Sequence, residues 1–294
     1  MTSLTAGQRF RAALKNNQPL QIMGTINAYT ALMATKIGHH SIYISGGACA
    51  NASYGLPDLG MTSMNDVLED ARRITAVVDT PLLIDIDTGW GGAFNIARTI
   101  KESIRAGVAA VHMEDQVAQK RCGHRPNKEV VSCAEMVDRI KAAADAKTDD
   151  DFFIMARTDA YAIEGLQASI DRAGAYIEAG ADGIFAEAMA TLDEYKAYHD
   201  AVDAPLLANM TEFGMSPLFD INELAAHGVD MVLYPLTATR AMHRAAETVY
   251  KSVLEKGHQR DVVDQMQTRM ELYDYLNYQE YEDTLDKLFS EGKQ

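Results

Sequence analysis

The sequence predicts a (β/α)8 barrel, an expectation that rests on three observations. Eight short apolar, partly β-branched runs recur along the chain, and helical patterns separate most of them. Four of the runs follow a glycine placed where a helix would end, in KIGHHSIYI, RAGVAAVHM, EAGADGIFA and AHGVDMVLY. Glycine accepts the left-handed conformation without a Cβ clash, so Gly38, Gly107, Gly180 and Gly228 are expected C-terminal helix caps. The runs themselves are too apolar for half-exposed strands and suit a parallel sheet covered on both faces. An open doubly wound sheet shares this alternation and stays open as the rival.

In chain order the strands fall in LQIMGTINA, HHSIYI, PLLIDIDTG, VAAVHM, DFFIMARTD, ADGIFA, APLLANM and VDMVLY. Residues 93–106 and 132–146 carry two of the clearest intervening helical patterns. No linker rich in Pro, Gly or Ser divides the chain, so residues 1–294 are expected to form one barrel domain, with 241–294 as a C-terminal helical extension. In that extension Val249, Val253, Met266, Met270, Tyr273 and Leu276 continue an apolar pattern beyond what an eighth barrel helix needs.

Composition narrows the partners. With 47% hydrophobic residues in 294, the chain can bury a large core. Its 42 acidic against 27 basic residues, a formal charge of -15, would repel nucleic acid and anionic lipid. A small anionic ligand needs only a local basic pocket. There is no secretory pattern and no apolar run near ~18 residues, so neither export nor membrane spanning is expected and the cytoplasm is the default. Cys49, Cys122 and Cys133 are odd in number and lack metal-type spacing, which argues against a disulfide framework or a zinc site.

In such barrels the chemistry sits at the C-terminal ends of the strands. Those ends are polar here: Tyr43, Ser45, Gly46 and Gly47; Asp85 and Asp87; His112, Glu114 and Asp115; Arg157 and Asp159; Glu187; Asn209, Thr211 and Glu212; then Arg240. Strand period two puts Asp85 and Asp87 on one side, and likewise His112 and Glu114. With Asp58 of GLPDLG they make an oxygen-rich set that suits Mg²⁺, or Mn²⁺, better than zinc. The glycines of SGG can turn backbone N–H groups toward a carboxylate. His39, His40 and His243 read as structural or exposed.

The stretch KRCGHRPNK, residues 120–128, gathers four Lys/Arg and a histidine around Cys122. Such a run can be a solvated loop, but cations favour the thiolate, so Cys122 is expected to be more acidic than a free cysteine at about 8.5. That makes it a candidate nucleophile, acid or base, whereas Cys133 reads as packing.

Together SGG, DIDTG, HMEDQ, KRCGHRP, MARTDA, NMTEFG and MQTRMELY resemble, across essentially the whole chain, the 2-methylisocitrate lyase family of the isocitrate lyase and phosphoenolpyruvate mutase superfamily. The resemblance implies a barrel whose last helix is exchanged within a homotetramer. It implies Mg²⁺-dependent cleavage of a tricarboxylate into succinate and pyruvate, a step of propionate degradation (the methylcitrate cycle). It further implies that Asp85 and Asp87 bind the metal with Asp58 and Glu114 assisting. Ser45, Gly46, Gly47, Cys122, Gly123, Arg157, Glu187, Asn209, Thr211, Arg240 and Arg269 would contact substrate. In that chemistry Tyr43 is the expected base and Cys122 the acid, held as thiolate until the substrate's charge returns its proton. Phe213 is the expected contact for the substrate methyl. Within the superfamily, isocitrate lyase usually has Lys at the position of Arg121 and lacks TEFG. Phosphoenolpyruvate mutase and phosphonopyruvate hydrolase would not need the C-G-H loop, and an oxaloacetate-type hydrolase would act on a smaller acid. A non-catalytic carboxylate-binding barrel is the alternative from another class.

Overall fold

The structure, a computed structural model, describes residues 4–291. Its eight strands are β1 (Leu20–Gly24), β2 (Ser41–Ile44), β3 (Leu82–Asp85), β4 (Ala110–Glu114), β5 (Phe153–Thr158), β6 (Gly183–Ala186), β7 (Leu206–Asn209) and β8 (Met231–Tyr234). They close in sequence order into one barrel, and every pairing is parallel, including β1 with β8. The expected (β/α)8 barrel is therefore the fold, and the open sheet is excluded.

The anticipated glycines end helices as their backbone freedom requires: φ is +114° at Gly38, +77° at Gly107, +109° at Gly180 and +80° at Gly228. The two anticipated helices span Ala93–Arg105 and Cys133–Ala144, the latter capped by Ser132, whose hydroxyl accepts the N–H of Glu135.

Buried apolar residues form two layers. One lies between strands and helices and includes Ile42, Ile84, Val111, Ile154, Ile184, Ala208 and Val232. The other is the barrel lumen, with Leu20, Ile22, Leu83, Ala110, Phe153, Met155, Phe185, Leu207, Met231 and Leu233. Phe10 joins this second layer, its ring 5.1 Å from that of Phe153. Period two carries the lumen side upward in steps of two residues: Leu83 to Asp85, Ala110 to His112 and Glu114, Met155 to Arg157, Leu207 to Asn209. The polar site is thus the top layer of the same interior whose lower layers are hydrocarbon.

The chain divides into two compact units, with the boundary between Thr239 and Arg240. The first holds the barrel. The described part of the second comprises most of the helix Thr237–Lys256, a 3-10 turn at Arg260–Gln265 and the helices Arg269–Leu276 and Tyr278–Glu291. No described helix is long and apolar enough to cross a membrane.

Candidate active site

The end of β3 supplies two buried carboxylates. Asp85 accepts the N–H of Gly46 at 3.2 Å and of Asp87 at 2.8 Å. Asp87 lies past the strand with φ +47°, so a turn, not strand alternation, sets its direction. The two carboxylates nevertheless converge: a Cβ added at Gly46 would sit 3.0 Å from Asp85 Oδ2 and 3.3 Å from Asp87 Oδ1. A Cβ at Gly47 would meet Asp58 Cγ at 3.1 Å. At both positions a side chain would press on these carboxylates. SGG is a helix start, with Ser45 capping Gly46–Tyr54, and the Gly46 N–H already serves a protein carboxylate.

Lys120 reaches into this group, its ammonium 2.6 Å from Asp87 Oδ1 and 2.8 Å from Asp58 Oδ1. Burial and the charge of Asp85 push Asp87 up to about 6 despite that lysine. On β4, burial lowers His112 to about 4, so it is neutral imidazole; its Nε2 lies 2.9 Å from Tyr43 Oη. Burial, reinforced by Asp85, also raises Tyr43 well above an ordinary phenol. Tyr43 is therefore a neutral phenol here, and the expected base role requires its phenolate to be stabilised when substrate binds.

Opposite stands a guanidinium cluster. Arg157 Nε is 3.0 Å from Asp159 Oδ2 and 3.4 Å from Glu114 Oε2, its Nη2 is 3.6 Å from Glu187 Oε2, and its Cζ lies 5.0 Å above the Phe185 ring. Asn209 Nδ2 donates to Glu187 at 3.3 Å. His124 Nε2 is 2.7 Å from Glu187 Oε1, and its Nδ1 accepts the N–H of Met215 at 3.0 Å. An added Cβ at Gly214 would fall 2.8 Å from that Nδ1 and 3.0 Å from Thr211 Cγ2, so Thr211 belongs to the same wall.

The cysteine loop folds onto this cluster. A Cβ at Gly123 would sit 2.3 Å from Arg157 Nη2, an approach that only glycine permits. The expectation of an acidic Cys122 is corrected. Burial dominates and raises its thiol above the ordinary value, with Asp58 and Glu187 pushing the same way against the His124 N–H and Arg157. Lys120 and Lys128 sit near the cysteine in sequence, but they are committed to carboxylates, Lys128 Nζ lying 2.8 Å from Asp159 Oδ1. The thiol, not the thiolate, is the resting form.

Phe213 is 96% exposed at φ +63°, so the expected contact with a substrate methyl is not part of this pocket wall. Arg240 and Arg269 lie in the second unit. Cys49 belongs to the core and Cys133 packs against it. Asp159 was expected only as a polar strand end, and Lys120, His124 and Lys128 only as part of the basic stretch, with no role of their own in the site. The signal available was KRCGHRPNK itself, whose ends are drawn together by the antiparallel Gln116–Val130 bridge.

The residues fit a hard divalent cation. Every donor in the group is a carboxylate oxygen, a lysine ammonium already sits between Asp58 and Asp87, and the fully buried Glu114 has an Oε1 without a hydrogen-bond partner. Among the described residues no three acidic, His or Cys side chains are gathered as a ready cage.

The profile of the phosphoenolpyruvate phosphomutase family matches residues 10–254. The chain is 66% identical to a 2-methylisocitrate lyase of Shewanella oneidensis, covering 98% of this chain and 99% of the relative. It is 57% identical to the 2-methylisocitrate lyase of Escherichia coli, over 100% and 99%. Among solved structures, 2,3-dimethylmalate lyase superposes with TM-score 0.89 at 31% identity, covering 96% of this chain and 95% of that one. Phosphonopyruvate hydrolase in complex with oxalate and Mg²⁺ does so with TM-score 0.84 at 31% identity, over 95% and 98%. In family match, full-length identity and fold, the chain belongs to the phosphoenolpyruvate phosphomutase family, in the group of the 2-methylisocitrate lyases.

Proposed function

We propose that this protein is a Mg²⁺-dependent carbon–carbon lyase that cleaves 2-methylisocitrate into pyruvate and succinate. The observation that carries the reading is the pairing, at one barrel mouth, of the Asp85 and Asp87 carboxylates with a cysteine loop packed on Arg157. One side suits a cation, the other a substrate carboxylate and a proton donor.

Asp85 and Asp87 would hold Mg²⁺, with Asp58 and Glu114 assisting through water; when bound, the ion supplies Lewis acidity toward the substrate hydroxyl and its neighbouring carboxylate. The substrate's negative charge is met by Arg157 and by the N–H groups of Gly47 and Gly123, with Asn209 and Thr211 adding neutral donors. Arg240 and Arg269 are proposed as further substrate-binding cations. The hydroxyl proton leaves, for which Tyr43 remains the candidate acceptor, its own phenol proton passing to the neutral imidazole of His112, whose Nε2 lies 2.9 Å from the Tyr43 hydroxyl. The carbon–carbon bond then breaks toward the succinate half, whose electron pair is carried as an enolate-like dianion. Cys122, resting as thiol, gives its proton to that carbon. Its burial favours this role, because no prior reprotonation is needed.

The enzyme is further proposed to work as a cytoplasmic homotetramer with exchanged C-terminal helices. In the helix Tyr278–Glu291, Tyr281, Leu285, Leu288 and Phe289 are exposed at spacings that form one apolar stripe. Incubation with 2-methylisocitrate and Mg²⁺ should release pyruvate and succinate in equal amounts. Absence of both products with a folded, Mg²⁺-supplied enzyme would overturn the assignment.

A further inference from the structure

Lys128 closes the basic stretch, yet no substrate charge is needed to explain it. Its side chain is only 2% exposed, and its ammonium is bonded twice inside the protein: 2.6 Å to the carbonyl oxygen of Gly123 and 2.8 Å to Asp159 Oδ1. Asp159 is fully buried and accepts Arg157 Nε at 3.0 Å and Nη2 at 3.3 Å, while its own N–H is held by Asp115 Oδ1 at 2.9 Å. Gly123, in turn, lies against Arg157 too closely for any Cβ. One ammonium therefore joins the peptide next to Cys122 to the carboxylate that orients the guanidinium.

The plainer role for Lys128 is to neutralise Asp159. That role is already filled, because Arg157 pairs with Asp159 in two-point fashion. What Lys128 adds is the bond to the Gly123 carbonyl, beside the ties of Lys120 to Asp87 and His124 to Glu187, and a loop segment that loses such a tie opens more often. Building on the proposed lyase chemistry, we propose that Lys128 is a positioning residue: it locks the Cys122–Gly123 segment onto the Arg157–Asp159 pair so that the thiol is aimed at the carbon it protonates. Lys128 touches no reacting atom in this account; it acts through Gly123.

The test uses the full-length enzyme with Mg²⁺, and Lys128→Met beside Lys128→Arg. Two quantities are read: steady-state kcat and KM, and the rate at which iodoacetamide alkylates Cys122, followed by mass spectrometry of its peptide. For Lys128→Met, kcat should fall about 10²-fold, the scale of a small misplacement of a reacting group, with KM changed far less. Alkylation of Cys122 should accelerate at least about 10-fold as the loop opens more often. Lys128→Arg should be intermediate in both, since a planar, longer head cannot keep both short bonds. Should Lys128→Met not fold, Lys128→Arg decides alone, and parental values in both measurements overturn the proposal. So does a Lys128→Met enzyme that melts at lower temperature with parental kcat, or with parental alkylation, because that is mere charge neutralisation. If the parent enzyme cleaves no 2-methylisocitrate while Lys128→Met still accelerates alkylation, the loop lock stands and the lyase reading falls.

Discussion

The ammonium of Lys120 lies 2.6 Å from Asp87 Oδ1, so a cation from the cysteine loop already compensates the carboxylates assigned to the metal. Loop and proposed metal site are one electrostatic unit. The same contact ties the cysteine segment to the β3 side of the mouth, while His124 and Lys128 tie it to the β5 and β6 side.

Metal dependence is the first expectation. Chelation with EDTA should abolish turnover and Mg²⁺ or Mn²⁺ should restore it. In calorimetric titration Asp87→Asn and Asp85→Asn should bind Mg²⁺ more weakly by at least about 10-fold, a lower bound set by what loss of an outer supporting group alone costs. Turnover indifferent to chelation would contradict the roles of both aspartates.

Cys122→Ser keeps the side-chain shape but leaves a far weaker acid. Turnover should drop by about 10²- to 10⁴-fold while substrate binding, read by calorimetry, survives. Because the thiol pKa is raised above the ordinary cysteine value, the protonated form is fully present at neutral pH. The kcat/KM of the parent enzyme should therefore not decline on account of Cys122 until pH passes well above about 8.5. A decline centred near pH 7 that vanishes in Cys122→Ser would mean a thiolate resting state.

Asp159 offers a stability test. Burial alone would raise its pKa, but Arg157 and Lys128 outweigh burial and hold it below the ordinary carboxylate range. A depressed folded-state pKa contributes stability that is present above the unfolded value near 3.9 and is lost as pH falls through the folded value. Asp159→Asn leaves two buried cations short of a partner and should cost about 3 kcal/mol at pH 7 in denaturant unfolding. The gap between parent and variant should narrow below about pH 4; a gap constant from pH 7 to 3 would show that charge is not its source.

The C-terminal helices carry the assembly expectation. A chain ending at about residue 257 should lose the tetramer in sedimentation or light scattering. A soluble, truncated tetramer would remove helix exchange from the account.

Much of this was legible in the sequence, for physical reasons that mark where legibility stops. Strands buried on both faces must be apolar throughout, and helices that turn back onto them end in left-handed glycine, so Gly38, Gly107, Gly180 and Gly228 placed half the barrel. Period two then paired Asp85 with Asp87 and His112 with Glu114, although a turn past the strand, not strand alternation, sets the direction of Asp87. What failed was the electrostatics of Cys122. Its neighbours in sequence are cations, but Lys120 is spent on Asp58 and Asp87, 62 and 33 positions away, and Lys128 on Asp159, 31 positions away. Desolvation, which no local pattern encodes, then decides the sign. Phe213, expected against the substrate methyl, is exposed instead and sits at a left-handed φ that no local pattern announced.

The most direct measurement offers 2-methylisocitrate and isocitrate at equal concentration with Mg²⁺ and compares pyruvate with glyoxylate. The two acids differ by one methyl, which a fitted pocket distinguishes by about 1 to 3 kcal/mol, or roughly 10- to 200-fold. Pyruvate formed with a specificity constant higher by that factor is the expected result. Glyoxylate formed with a comparable or higher specificity constant would make the enzyme an isocitrate lyase in function and contradict the assignment.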